Sequence, residues 1–265
     1  MLKKIFLLCF LIFSCLSAKE INIGFATDNA PFSYVDSDGY TGVEYEMIKE
    51  IFKRVGDTNL RINLVGSSFE GLFEGIENKS FEMAIGTISI TEKRKNNFDF
   101  SVPYFNAANM IICRSDDTSL LTVDDLQGKV IGAFLKGSTQ EEFARSIPNA
   151  KVVVSDSLIN LMIMLKTGRA DALVIEVTNS PIILNNKFEY LNEIDRNSLV
   201  FLENLGADKK LTILEIVNNE KGKLAIMFSK NFDSELKEKI DDAILQMKED
   251  GTIKRFLSTY GISMR

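Results

Sequence analysis

The sequence predicts an α/β protein made of two similar lobes in series. Two observations carry that expectation. After an apolar leader, strand-like and helix-like spacings of apolar residues alternate as β-α-β-α-β through the first hundred residues. Such alternation gives parallel strands joined by crossover helices. The same plan then repeats over Leu120–Glu176. A chain of 265 residues can bury the cores of two such units.

The elements follow in order. Glu20–Ala26 alternates and turns apolar, as a first strand does. Thr27–Phe32 is a loop, because Pro31 cannot continue a ladder. Phe32–Val35 reads as a short strand, closed by the turn Asp36–Gly39. Val43, Met47, Ile48, Ile51, Phe52 and Val55 share a helical face that stops near Gly56. Leu60–Val65 is a strand. Ser67 or Ser68 caps a helix over Phe69–Glu77. Phe81–Ile90 is the next strand, and Phe98–Tyr104 is irregular. In the second unit, strands are expected at Ala107–Arg114, Val130–Phe134, Lys151–Val154 and Ala170–Glu176. A helical turn falls at Asp124–Lys129. Lys136–Glu142 opens a helix running to Ile147, and Asp156 or Ser157 caps another that ends at Gly168. Thr178–Leu184 begins a further helix. Asn185–Lys221 carries only turn signals, at Asp208–Lys210 and Asn218–Gly222. Leu224–Phe228 is a strand. Asp233–Gly251 and Thr252–Tyr260 close the chain as helices.

Met1–Lys4, the apolar run Ile5–Phe13 and the small residues Ser14–Ala18 have the order of a secretory signal. The run is too short to span a bilayer, which takes about 20 apolar residues. Cleavage after Ala18 leaves an exported soluble protein. Ile12–Cys15 partly resembles a lipobox, which would anchor the chain through Cys15, but Phe13 is bulky for that role. Of three cysteines only Cys113 lies beyond the leader, so no internal disulfide is expected. Cys113 sits in an apolar strand and reads as a buried thiol.

The chain has no histidine, which removes the commonest zinc ligand and the usual base for a nucleophile. No cofactor or metal is expected. Without the leader, 29 basic residues stand against 37 acidic ones, a net charge of about −8. That balance leaves no basic footprint for nucleic acid.

One stretch concentrates candidate chemistry. Ala84–Lys95 runs as a buried strand into a polar turn, with Gly86, Thr87 and Ser89 followed by Arg94. Together these could grip a small carboxylate. Alone, Arg94 reads better as a surface charge in a charged turn than as a ligand contact. In open sheets of this class ligands sit beyond the carboxyl ends of strands. Thr27–Phe32, Gly66–Phe69 and Gly86–Ser89 then gather on one edge.

A series of motifs sharpens this. Pro31-Phe32, Tyr40–Glu46, Phe69–Leu72, Ile88–Arg94 with Phe98–Ser101, Lys136–Gln140, Gly168–Ala172 and Glu249–Thr252 occur in this order. The chain thereby resembles the periplasmic amino-acid-binding proteins of bacterial ABC importers, solute-binding protein family 3, polar amino acid branch. The resemblance covers about residues 20 to 262. It implies a two-lobed type II periplasmic-binding-protein fold, with two mixed sheets flanked by helices and a two-segment hinge crossing near Asn109 and Leu224. The lobes would be 19–109 plus 225–265, and 110–224, after a signal at 1–18.

The same resemblance implies a site. Arg94 would hold an α-carboxylate in a bidentate pair, a geometry lysine cannot match. Ser89 would bond the carboxylate or amine, and the Thr87 backbone, beside Gly86, would approach the amine. Ser138 and Thr139 would offer backbone N–H groups at a helix N-terminus, where Ser138 also reads as a simple N-cap. Glu176 stands where the family usually has Asp and would pair with the ammonium. Phe69 would pack on the ligand side chain or belong to the core. The loop Asp28–Phe32 is shorter than the family's; Asp28 or Asn29 would face the ligand, and Phe32 counts among the implied ligand-binding residues. The implied partners are an amino acid and an inner-membrane ABC permease, for a monomeric periplasmic receptor. The alternative is an exported dehydratase of prephenate type on the same fold, with Glu176 as general acid.

Overall fold

The computed structural model describes residues 19–184, 197–200, 209–218 and 222–262. The leader and most of Asn185–Lys221 lie outside those residues, including Asp208 and residues 219–221 of the two turns expected there.

Two five-stranded mixed sheets organise the chain. The first contains β1 (Lys19–Ala26), β2 (Leu60–Ser67), β3 (Met83–Ile85) and β4 (Phe98–Phe100). The second contains β5 (Asn109–Arg114), β6 (Val130–Phe134), β7 (Lys151–Ser155), β8 (Ala172–Glu176) and β9 (Leu211–Val217). The strand β10 (Met227–Ser229) returns to the first sheet. The orders are β2-β1-β3-β10-β4 and β7-β6-β8-β5-β9. In each, the central strand of the parallel trio comes first in the chain, and two further strands, each joined by antiparallel pairing to its neighbour, complete the sheet. The repeat expected from the alternation is therefore a repeat of topology.

The helices are placed by local signals. α1 (Val43–Val55) buries Val43, Met47, Ile48 and Ile51 and ends at Gly56, whose φ of 67° suits glycine. α2 (Phe69–Glu77) is capped by Ser68, whose side chain accepts from the Gly71 N–H. The short α3 (Glu92–Lys95) is capped by Thr91. α4 (Thr139–Ser146) starts from Ser138, and α5 (Leu158–Lys166) from Ser157. After α6 (Ser180–Leu184), the helices α7 (Ser234–Glu249) and α8 (Thr252–Thr259) pack beside α1.

On the first sheet, Ile21, Ile23 and Phe25 point to one face at period two. They join Met47, Ile51, Ile240 and Ile244 in one buried cluster. The opposite face meets α2 through Phe81. A Cβ on Gly75 would lie 2.0 Å from the Phe81 ring, and one on Gly24 2.6 Å from it. Gly75→Ala therefore destabilises the fold by about 1–3 kcal/mol through overpacking, although alanine is the better helix former. Urea unfolding checks this, and an unchanged midpoint would contradict the packing.

Several expected boundaries move. Phe98–Phe100, expected irregular, is a strand against β10. β9, unread in the sequence, pairs antiparallel with β5 along an edge and carries a bulge between Ile213 and Glu215. The expected strand Phe81–Ile90 is only three residues long, so Gly86–Ile90 is free to shape a loop. The expected strand Leu224–Phe228 is two strands. Lys223–Leu224 pairs with Phe105–Asn106, and β10 joins the first sheet. Those two paired dipeptides lie where the chain leaves the first sheet and where it returns.

Candidate ligand-binding cleft

The carboxyl ends of β1, β3, β6 and β8 converge between the sheets. They enclose a cavity of about 10 Å³, room for about one water molecule. Eight of the eleven expected site residues line it: Asn29, Phe69, Thr87, Ser89, Arg94, Ser138, Thr139 and Glu176. Phe134, Leu135, Gln140 and Asn179 line it as well.

Three expected residues do not. Phe32 is fully buried in the first-lobe core, its ring 5.5 Å from that of Phe105. The Pro-Phe motif thus anchors the loop rather than touching the cavity. Gly86 packs against Ala26 and Leu72, since a Cβ there would lie 2.5 Å from the Ala26 Cβ. Asp28 is half-buried beside the cavity. Its Oδ1 has no hydrogen-bond partner, and burial pushes its carboxyl up to about 6, with Asp156 across the cleft adding to the rise.

Arg94 spans the gap. One guanidinium nitrogen donates to the Ser89 carbonyl at 2.7 Å and another to the Gly137 carbonyl of the opposite side at 2.9 Å. The group lies 4.8 Å from the Phe73 ring centre and 5.6 Å from that of Phe69, within cation–π range. Burial lowers its pKa to about 10, and Glu142 and Glu176 oppose that fall. The guanidinium stays charged at neutral pH. Phe69 both packs in a core cluster and lines the cavity.

Glu176 ends β8 and is buried. The Thr178 hydroxyl donates to its Oε1 at 2.8 Å, and Gln140 Nε2 reaches Oε2 at 3.4 Å. Burial pushes the carboxyl up to about 8, and the nearby Glu44 adds to the rise. Thr178, Gln140 and Arg94 pull the other way.

Ser138 is a cap. Its Oγ accepts from the Glu141 N–H at 3.1 Å and donates to the Phe134 carbonyl at 2.8 Å. Its own N–H donates to the Leu135 carbonyl at 3.3 Å. Leu135 and Thr87, on opposite walls, both have left-handed φ, 64° and 48°. Across the cleft, Asn179 Nδ2 donates to Asn29 Oδ1 at 3.1 Å. An outer ion pair, Lys136 to Glu70 at 2.9 Å, joins the rims. Beyond Arg94 the cleft widens into a groove of about 1000 Å³. Asn179 and Leu135 carried no local sequence signal. Gln140 lay inside the Lys136–Gln140 motif without an assigned role.

A family model of bacterial extracellular solute-binding proteins, family 3, matches residues 21–263. The chain belongs to that family. This family 3 solute receptor has the two-lobed type II periplasmic-binding-protein fold. It is similar to the probable histidine-binding protein of Campylobacter jejuni, 32% identical over 154 residues. That match spans 58% of this chain and 59% of the relative. The structure of the substrate-binding protein AbpA of Streptococcus pneumoniae bound to L-arginine is 29% identical, with a TM-score of 0.69, over 91% of this chain and 94% of that one. The ancestral amino-acid-binding protein AncCDT-1, a precursor of cyclohexadienyl dehydratase, shares the fold at 24% identity and a TM-score of 0.70, over 91% and 95%.

Proposed function

We propose that this receptor binds a polar L-amino acid between its lobes and delivers it to an inner-membrane ABC permease. The observation that carries the reading is the opposition of Arg94 and Glu176 across one enclosed cavity. A cation and an acid on facing walls match the carboxylate and ammonium of a zwitterion, through charge-assisted bonds in a dry cleft. The probable histidine-binding relative and the L-arginine-bound AbpA support an amino acid as the solute.

The cavity is too small for an amino acid while Arg94 and Asn179 bridge the lobes. Entry therefore requires the lobes to part. The paired segments Phe105–Asn106 and Lys223–Leu224 are the hinge in this reading. The lobes are 19–109 plus 225–265, and 110–224. The leader 1–18 directs export to the periplasm, where the receptor acts as a monomer.

Binding without turnover is part of the proposal. Among the described residues Glu176 is the one acid in the cavity wall, and its partners Thr178 and Gln140 hold it as an ammonium acceptor. Mass spectrometry of small molecules released from the purified protein, followed by calorimetry across the twenty amino acids, tests the reading. The expected result is one retained amino acid, recovered unchanged. Conversion of prephenate, with no amino acid bound, would overturn it in favour of the dehydratase.

A further inference from the structure

Thr87 is a β-branched residue with φ of 48°. Such residues enter the left-handed region only when their surroundings hold them there. Three segments hold this one. The Thr87 N–H donates to Glu44 Oε1 at 2.6 Å. The Tyr104 hydroxyl donates a short bond to the same oxygen. Asn29 Nδ2 donates a short bond to the Thr87 hydroxyl oxygen. Glu44 lies in the first turn of α1, is fully buried, and has no partner on Oε2. A carboxyl placed there without an ion pair costs stability, so the fold retains it against its burial.

The contacts form a continuous chain. Tyr104 is bound through its N–H to the Leu224 carbonyl of the hinge pair. From Tyr104 the chain passes through Glu44, Thr87 and Asn29 to Asn179 on the opposite lobe. All five residues are buried, and three of them line the cavity.

We propose that Glu44 is a positioning residue of the binding site: it holds Thr87 in its left-handed conformation and so sets Thr87 and Asn29 against the ligand. Glu44 does not touch the cavity itself. The inference rests on the proposed amino-acid function for its affinity readout, but its conformational part does not need a ligand.

A double-mutant cycle of Glu44→Leu and Thr87→Gly separates the cases. Glycine adopts positive φ without strain, so it needs no brace. Unfolding is measured first, with no amino acid present. The expected result is that Glu44→Leu lowers stability less in the Thr87→Gly background than in the wild type. Additive effects would overturn the proposal. Affinity is then measured by calorimetry for the tightest binder among the twenty amino acids. Glu44→Leu is expected to weaken it at least tenfold, and again less with glycine at 87. Glu44→Gln retains an acceptor for Thr87 and is expected to lose less affinity than Glu44→Leu. It also serves if Glu44→Leu does not fold. Equal losses from Gln and Leu would show that charge, not the acceptor, matters, and would overturn the proposal. If the wild type binds none of the twenty, the proposed function fails, while the unfolding cycle still judges Glu44.

Discussion

Arg94→Ala is expected to weaken amino-acid binding at least a hundredfold while the protein still unfolds cooperatively. Truncating one member of a buried charged pair typically costs about 2–5 kcal/mol, and each 1.4 kcal/mol is about tenfold. The fold tolerates the loss because Arg94 contributes little to either core. Its bonds go to two loop carbonyls, and its ring contacts lie at the cavity wall. Burial already disfavours the cation without a ligand, so removal of the side chain also removes that cost. Arg94→Lys is expected to fall between, since an ammonium cannot make the planar paired contact. Calorimetry and thermal melts of the same three proteins check this. An unaltered affinity for Arg94→Ala would remove the residue from the site.

Glu176 sets the second large effect, a dependence on pH. Its carboxyl titrates near 8 in the ligand-free protein because burial penalises the anion. Binding an ammonium favours the anion, so at pH 7 binding must expel a proton. Affinity then rises with pH up to about 8, by at most about tenfold per unit. The observed binding enthalpy at pH 7 should differ between phosphate and Tris buffers, by an amount that corresponds to nearly one proton released.

The stability of the ligand-free protein runs the opposite way. An acid whose folded pKa is raised binds more protons folded than unfolded between its two pKa values. From Glu176, stability is therefore full below about 4.5 and declines as pH rises toward 8, by at most about 1.4 kcal/mol per unit. Glu44, raised by burial as well, adds to the same trend. Glu176→Gln should flatten the decline and abolish the buffer dependence of binding. A buffer-independent enthalpy in the wild type would show that Glu176 does not receive the ammonium.

Much of this architecture was legible because its signals are local. α1 and α2 begin and end where the apolar spacing, Ser68 and Gly56 indicate. The repeated β-α-β-α-β order became two sheets of the same strand order. The elements that escaped notice are those whose partners lie far away. β4 is three residues long and exists because β10, from the far end of the chain, pairs with it. β9 alternates weakly and is fixed by β5. Leu224–Phe228 read as one strand because its residues are uniformly apolar, although they serve two different sheets.

The site divides in the same manner. Thr87, Ser89 and Arg94 stand close together in sequence, and their spacing at a strand end made them visible. Asn179 meets Asn29 from 150 residues away, and nothing near either residue announces it. Glu44 lay inside the Tyr40–Glu46 motif without an assigned role, and only the fold turns it toward Thr87. Phe32 shows the reverse error. Its place in a recurring motif suggested contact with a ligand, whereas its ring packs on Phe105 in the core.

The most direct test of the central claim compares one amino acid with its own derivatives. The tightest binder among the twenty is titrated by calorimetry beside its methyl ester, which lacks the carboxylate, and its N-acetyl form, which lacks the ammonium. A clamp formed by Arg94 and Glu176 predicts that both derivatives lose at least a hundredfold in affinity. Retention of wild-type affinity by either one would contradict it.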